Sequence, residues 1–148
     1  MITRGSFYEV LELLNADYEG NFVLGVDTSA RMLGLTNVRE FPITVLATSD
    51  ALEDFSHPNI EIVGTIAMPQ SNEITVVNGY RCTNVERTLV DLLHYERNPQ
   101  VIVESLAYYF QSIGTPEDWG NLPQVMRQHG VYEDFETYIE DAEEYYYN

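Results

Sequence analysis

Two β-prone runs, Glu73 to Val77 and Tyr80 to Thr83, are separated only by Asn78-Gly79. Asn-Gly tolerates the left-handed backbone that a two-residue reversal requires, so it is the strongest short signal for a β-hairpin. The second run leads at once into Asn84, a good helix N-cap, and then into Val85, Leu89, Leu92 and Leu93 at helical spacing. Sheet and helix therefore meet at one short junction, and no other stretch constrains the fold as tightly.

The flanking segments extend this pattern. Upstream, Ser6 with Glu9 three residues on forms a capping-box pattern for a helix through Phe7, Val10, Leu11 and Leu14. After a loop with Asp17, Gly20 and Asn21 comes a short apolar piece, Phe22 to Val26. The N-cap types Asp27-Thr28-Ser29 then predict a helix over Ala30 to Leu33, ended by Gly34. Pro42 to Thr48 and Ile60 to Ala67 read as strands joined by the loop Ser49 to Asn59. Downstream, Pro99 suits the first position of a helix carrying Ile102, Leu106, Tyr109, Phe110 and Ile113. Thr115 with Pro116, Glu117 and Asp118 is a further start signal, and a last helix from Tyr132 carries Phe135, Tyr138, Ile139 and Ala142 on one face. The expected fold is α+β: one domain over residues 1–148, with a small, mostly antiparallel sheet in mid-chain packed with a helical C-terminal half.

Charge narrows the function. The 148 residues carry 24 Asp and Glu against seven Arg and no Lys, a formal net charge of −17, while 45% of them are hydrophobic as in ordinary globular chains. Such a surface repels nucleic acid and anionic membrane and steers the protein toward a basic partner. The acid concentrates from Glu133 to Asn148, which hold seven carboxylates, four tyrosines and no basic side chain. A charge run is ordinarily a solvated face. Here Glu136–Glu140 and Glu140–Glu144 repel each other at i,i+4, and tyrosines of the kind that anchor interfaces follow. The candidate partner-binding residues are therefore Asp134, Glu136, Glu140, Asp141, Glu143, Glu144, Tyr145 and Tyr146.

Nothing in the sequence calls for catalysis, a metal or a cofactor. Cys82 is the only cysteine, which excludes an intrachain disulfide and a cysteine zinc site, and its apolar context fits an inert buried thiol. His57, His94 and His129 lack a second ligand at metal spacing, and His57 with Glu53 and Asp54 reads as a solvated loop. Gly64, Gly79 and Gly114 are isolated, and Ser6, Ser29 and Ser105 have no nucleophile-elbow context. Met1 to Gly5 has no apolar signal region, and no stretch nears the ~18 apolar residues of a spanning helix. A non-enzymatic cytoplasmic protein is expected.

Two segments carry a family resemblance. Asn84-Val85-Glu86-Arg87-Thr88-Leu89-Val90-Asp91-Leu92-Leu93 resembles the signature of the AbiEi-type antitoxins of bacterial phage-abortive toxin–antitoxin systems. Thr28-Ser29-Ala30-Arg31-Met32-Leu33-Gly34-Leu35-Thr36-Asn37 is similar to that family's Ser-Ala-Leu-x-Leu-His-Gly-Leu-Thr helix and turn, with Leu33 in place of its histidine. The likeness extends from about Gly5 to Tyr145 and implies the family's antitoxin domain without its N-terminal winged-helix DNA-binding domain. Within the signature, Asn84 caps, Glu86 sits at the positive helix end, Arg87 and Asp91 can pair four residues apart, and Thr88 can bond back to a main-chain carbonyl. That makes Glu86, Arg87, Thr88 and Asp91 structural.

Together these features predict an acidic inhibitor that occupies the nucleic-acid-binding surface of a bacterial defence nuclease, as a phage-encoded anti-CRISPR protein acting on a Cas effector would. The alternative implied by the resemblance is a solo antitoxin that neutralises a nucleotidyltransferase-like toxin. Either partner is a basic, nucleic-acid-handling protein.

Overall fold

The computed structural model describes residues 4–48, 52, 54–65, 68–113 and 120–147. Its architecture is α+β. The first helix, α1 (Arg4–Tyr18), turns Phe7, Val10, Leu11 and Leu14 into the core, as their spacing predicts. Ser6 is not its cap: Arg4 and Gly5 are already helical, because a capping pattern does not prevent another turn from forming upstream.

Strand β1 (Val23–Leu24) leads into α2 (Val26–Met32), which starts earlier than its sequence suggests, with Gly25 as N-cap. Thr28 and Ser29 lie inside the helix because their hydroxyls are used elsewhere. The Thr28 amide donates to Thr44 Oγ1 (2.9 Å), and the Thr44 amide returns a bond to Thr28 Oγ1 (2.7 Å). Gly34 ends α2 as expected: with φ at +79°, it lets the amides of Gly34 and Leu35 reach back to Arg31 and Ala30.

Four further elements bring the chain to the hairpin and out of it. They are β2 (Ile43–Thr48), β3 (Ile60–Thr65), β4 (Ile74–Val77) and β5 (Tyr80–Thr83). Glu73 closes a 3₁₀ turn, Ser71–Glu73, rather than opening β4. Asn78 and Gly79 both have positive φ (52° and 86°), and Val77 faces Tyr80 across the turn. The strand order is β3-β2-β1-β5-β4. The sheet is mixed, not mostly antiparallel: β2–β3 and β1–β5 run parallel, β1–β2 and β4–β5 antiparallel. Only the adjacent hairpin announces its own direction; the other pairings are settled by long-range packing.

Helices cover both faces of the sheet, so β2 is buried from Ile43 to Ala47 without alternation. On one face Ile43, Val45, Ala47, Ile60 and Cys82 pack with α1. On the other, Leu46 and Val63 join α2, α3 (Val85–His94), α4 (Pro99–Ile113), α5 (Leu122–Gln128) and α6 (Tyr132–Tyr147). The N-cap at Asn84, the start at Pro99 and the start at Tyr132 fall where expected. The signal at Thr115 to Asp118 lies outside the described residues; α5 starts after Asn121, with Pro123 in its first turn.

Gly25 follows β1, beside its antiparallel neighbour β2. A Cβ there would lie 2.7 Å from Leu46 Cγ, in the fully buried middle of β2. Gly25→Ala is therefore expected to destabilise by about 1–3 kcal/mol through overpacking, measured as a lower urea midpoint with an unchanged m-value.

Candidate functional site

The acidic tail folds as one helix. α6 is 16 residues long and anchors itself through buried Phe135 and Ala142, with Tyr138 and Ile139 partly buried beside them. At 100° per residue the carboxylates fan across the opposite half of the helix: Glu143, Glu136, Glu140, Glu133 and Glu144, then Asp141 and Asp134. Six of the seven are exposed, and Glu143 is half-buried at the margin. They make one broad acidic stripe that takes in about half of the helix surface. Tyr145 is 49% exposed, one turn beyond Asp141, while the side chain of Tyr146 lies outside the described residues.

Placement of these charges works against the helix. Glu133 and Asp134 favour its positive end, but Glu143 and Glu144 sit near its negative end, where no basic residue answers them. Five of the seven arginines take partners other than an α6 carboxylate. Arg97 donates to Glu61 and Asp27, joining β3 and α2 to the end of α3. Arg31 bonds the Val38 carbonyl and Glu40, Arg81 bonds the Phe22 carbonyl, and Arg127 lies 4.0 Å over the Tyr132 ring. Among the described residues, no cation is within ion-pair distance of an α6 carboxylate.

The signature at α3 does something different. Asn84 accepts the Arg87 amide (2.9 Å) and donates to the Asn72 carbonyl (3.0 Å), tying the helix start to the 3₁₀ turn. Arg87 Nε meets both Asp91 oxygens (3.0 and 3.1 Å), as the i,i+4 spacing predicts. Its Nη1 also reaches Glu73 (3.1 Å), whose other oxygen lies 3.6 Å from His129. Glu73 and His129 were invisible to sequence pattern, since each joins from another element at long separation. Asp91 is 2% exposed, and Glu86 is half-buried in the first turn.

Thr88 lies in a buried knot of hydroxyls: its Oγ1 is 2.9 Å from Ser29 Oγ, 2.6 Å from Thr83 Oγ1, and donates to the Thr83 carbonyl. The two segments that carry the family resemblance thus touch through Ser29 and Thr88. No family model matches the chain, and no curated protein matches it. What the signature does here is therefore read from its contacts. It locks α2, α3 and the hairpin together, beneath the surface.

The other polar candidates stand apart. Cys82 is fully buried, and burial pushes its thiol up to about 12. His57 Nδ1 accepts the Asn59 amide at 3.0 Å. Among the described residues, no three His, Cys, Asp or Glu side chains gather as metal ligands, and no helix is long and apolar enough to cross a membrane.

Burial opposes the Arg87 cation, yet Asp91 and Glu73 outweigh it and hold its pKa above the usual value. Burial also raises the Asp91 carboxyl above its ordinary 3.8, against the pull of Arg87, His129 and His94. The folded state thus binds this proton more tightly than the unfolded chain does. Its contribution is full below the ordinary aspartate value and is lost as pH rises through the raised one. Repulsion between like charges along α6 is screened by salt. The melting temperature is expected to rise as pH falls from neutrality toward the ordinary aspartate range, and to rise with NaCl at neutral pH, with roughly 4 °C per kcal/mol gained. Flat scans in both variables would contradict this.

Proposed function

We propose that this protein is a non-enzymatic inhibitor that lays α6 into the basic nucleic-acid-binding groove of a bacterial defence nuclease, as an anti-CRISPR protein does to a Cas effector. The observation that carries this is the unpaired carboxylate stripe. The seven carboxylates of α6 run from Glu133 to Glu144, about 16.5 Å of axis at ~1.5 Å per residue, so one falls on average about every 2.8 Å. That density lies between the charge spacing of one DNA strand, about 3.4 Å of axis, and that of the duplex, about 1.7 Å. Arg and Lys that hold phosphate would pair with the stripe, and Tyr145 would add desolvated contact area.

The test is retention on the immobilised chain of Cas effectors and nucleotidyltransferase toxins from a lysate, under rising salt. A Cas effector that is held at low salt and released by high salt or by competing guide RNA supports groove occupation. A nuclease held equally at all salt concentrations, or none held at all, contradicts it.

One observation favours a second role. The Ser29–Thr88 contact joins the two segments that resemble the AbiEi-type antitoxins into one structural unit. A solo antitoxin would rescue growth against a co-expressed nucleotidyltransferase-like toxin and would not depend on the α6 carboxylates.

A further inference from the structure

Beside the acidic stripe, α4 and α6 border a half-open cavity of about 390 Å³ over the turn that ends α2. Glu104, Tyr108 and Gln111 line it at i, i+4 and i+7, one face of α4, and Tyr145 lines it from α6. Leu35, itself buried, contributes from the turn after Gly34. Tyr108 and Tyr145 are 46% and 49% exposed, unusual for large side chains in this protein, and both border the same space. Glu104 has no ion-pair partner among the described residues, and no basic side chain lines the cavity.

We infer that this cavity receives the guanidinium of an arginine side chain presented by the basic partner, an assignment that rests on the binding role proposed for α6. Two tyrosine rings offer π-surface that attracts a cation. A carboxylate and a carboxamide oxygen supply acceptors for N–H donors, and a planar guanidinium can stack and donate at once, which an ammonium cannot. The site lies at the C-terminal end of the stripe, one turn from Asp141 through Tyr145, so an arginine docked here fixes the position of the stripe along a groove that carries several cations. Charge complementarity selects the occupant: the chain as a whole carries −17.

Titration of the full chain with N-acetyl-arginine amide tests this, followed by tyrosine ring NMR signals, with N-acetyl-citrulline amide as the neutral isostere. Saturable shifts confined to Tyr108 and Tyr145 are expected, with citrulline about fivefold weaker. Glu104→Gln should weaken arginine binding to a similar degree, while Tyr108→Phe, which keeps the ring, should retain it. Shifts that do not saturate, or equal affinity for the two amides, overturn the assignment. Failure here is separable from failure of the α6 role. If the probe does not bind but a Glu136→Gln, Glu140→Gln and Glu144→Gln variant still loses its partner, the cavity assignment alone falls. If the probe binds and that variant keeps its partner, the cavity stands and the stripe does not.

Discussion

Replacing Glu136, Glu140 and Glu144 together with glutamine is expected, under the groove-occupying role proposed for α6, to abolish inhibition of the partner nuclease while leaving the fold intact. The three residues lie on consecutive turns along the middle of the exposed stripe, and among the described residues no ion pair depends on their charge. Each carboxylate that pairs with a phosphate-binding Arg or Lys makes a charge-assisted contact, and losing about 1.4 kcal/mol at each would weaken binding on the order of 10³-fold. Stability should move the other way. The substitutions relieve the Glu136–Glu140 and Glu140–Glu144 repulsions, together worth roughly 0.5 kcal/mol, so the variant should melt slightly higher. Loss of inhibition with a raised melting temperature is the signature of a surface selected for a partner at some cost to the helix. A triple variant that inhibits like the parent would remove α6 from the mechanism.

Arg87→Ala is expected to have the largest effect on stability. Arg87 bridges Asp91 on its own helix and Glu73 on the 3₁₀ turn, and its side chain is only 11% exposed. Removing it leaves Asp91 buried without its main counter-charge, which for a buried pair costs about 3 kcal/mol or more. For a chain of this length that lowers the melting temperature by roughly 10 °C. Arg87→Met combined with Asp91→Leu should recover most of the loss, because no buried charge is then stranded. A melting curve for Arg87→Ala that superimposes on the parent's would mean that the signature faces a partner rather than the core.

These two predictions come from opposite kinds of residue, and the sequence treats them differently. Arg87 and Asp91 are four apart on a capped helix, so their pairing is legible from spacing alone. Their link to Glu73 and His129 is not, because it depends on where the 3₁₀ turn and the end of α5 come to rest against α3. The same limit applies at α2. Asp27, Thr28 and Ser29 look like cap residues, and nothing local reveals that Thr28 trades bonds with Thr44, or that Ser29 joins Thr83 and Thr88.

Local rules were sufficient wherever neighbouring residues do the work. The hairpin at Asn78-Gly79, the cap at Asn84, the stop at Gly34 and the apolar faces of α1, α3, α4 and α6 each follow from backbone preference and side-chain period within a few residues. The acidity of the tail and its helical register were likewise written in sequence order. Only the tertiary structure decided that the sheet is mixed, that Gly25 must remain glycine against Leu46, that five arginines take partners other than the α6 carboxylates, and that Glu104, Tyr108 and Tyr145 border one cavity. Those outcomes depend largely on contacts between residues distant in sequence, up to 70 positions apart for Arg97 and Asp27, and the energy of such contacts is set by packing and burial, which a linear pattern does not encode.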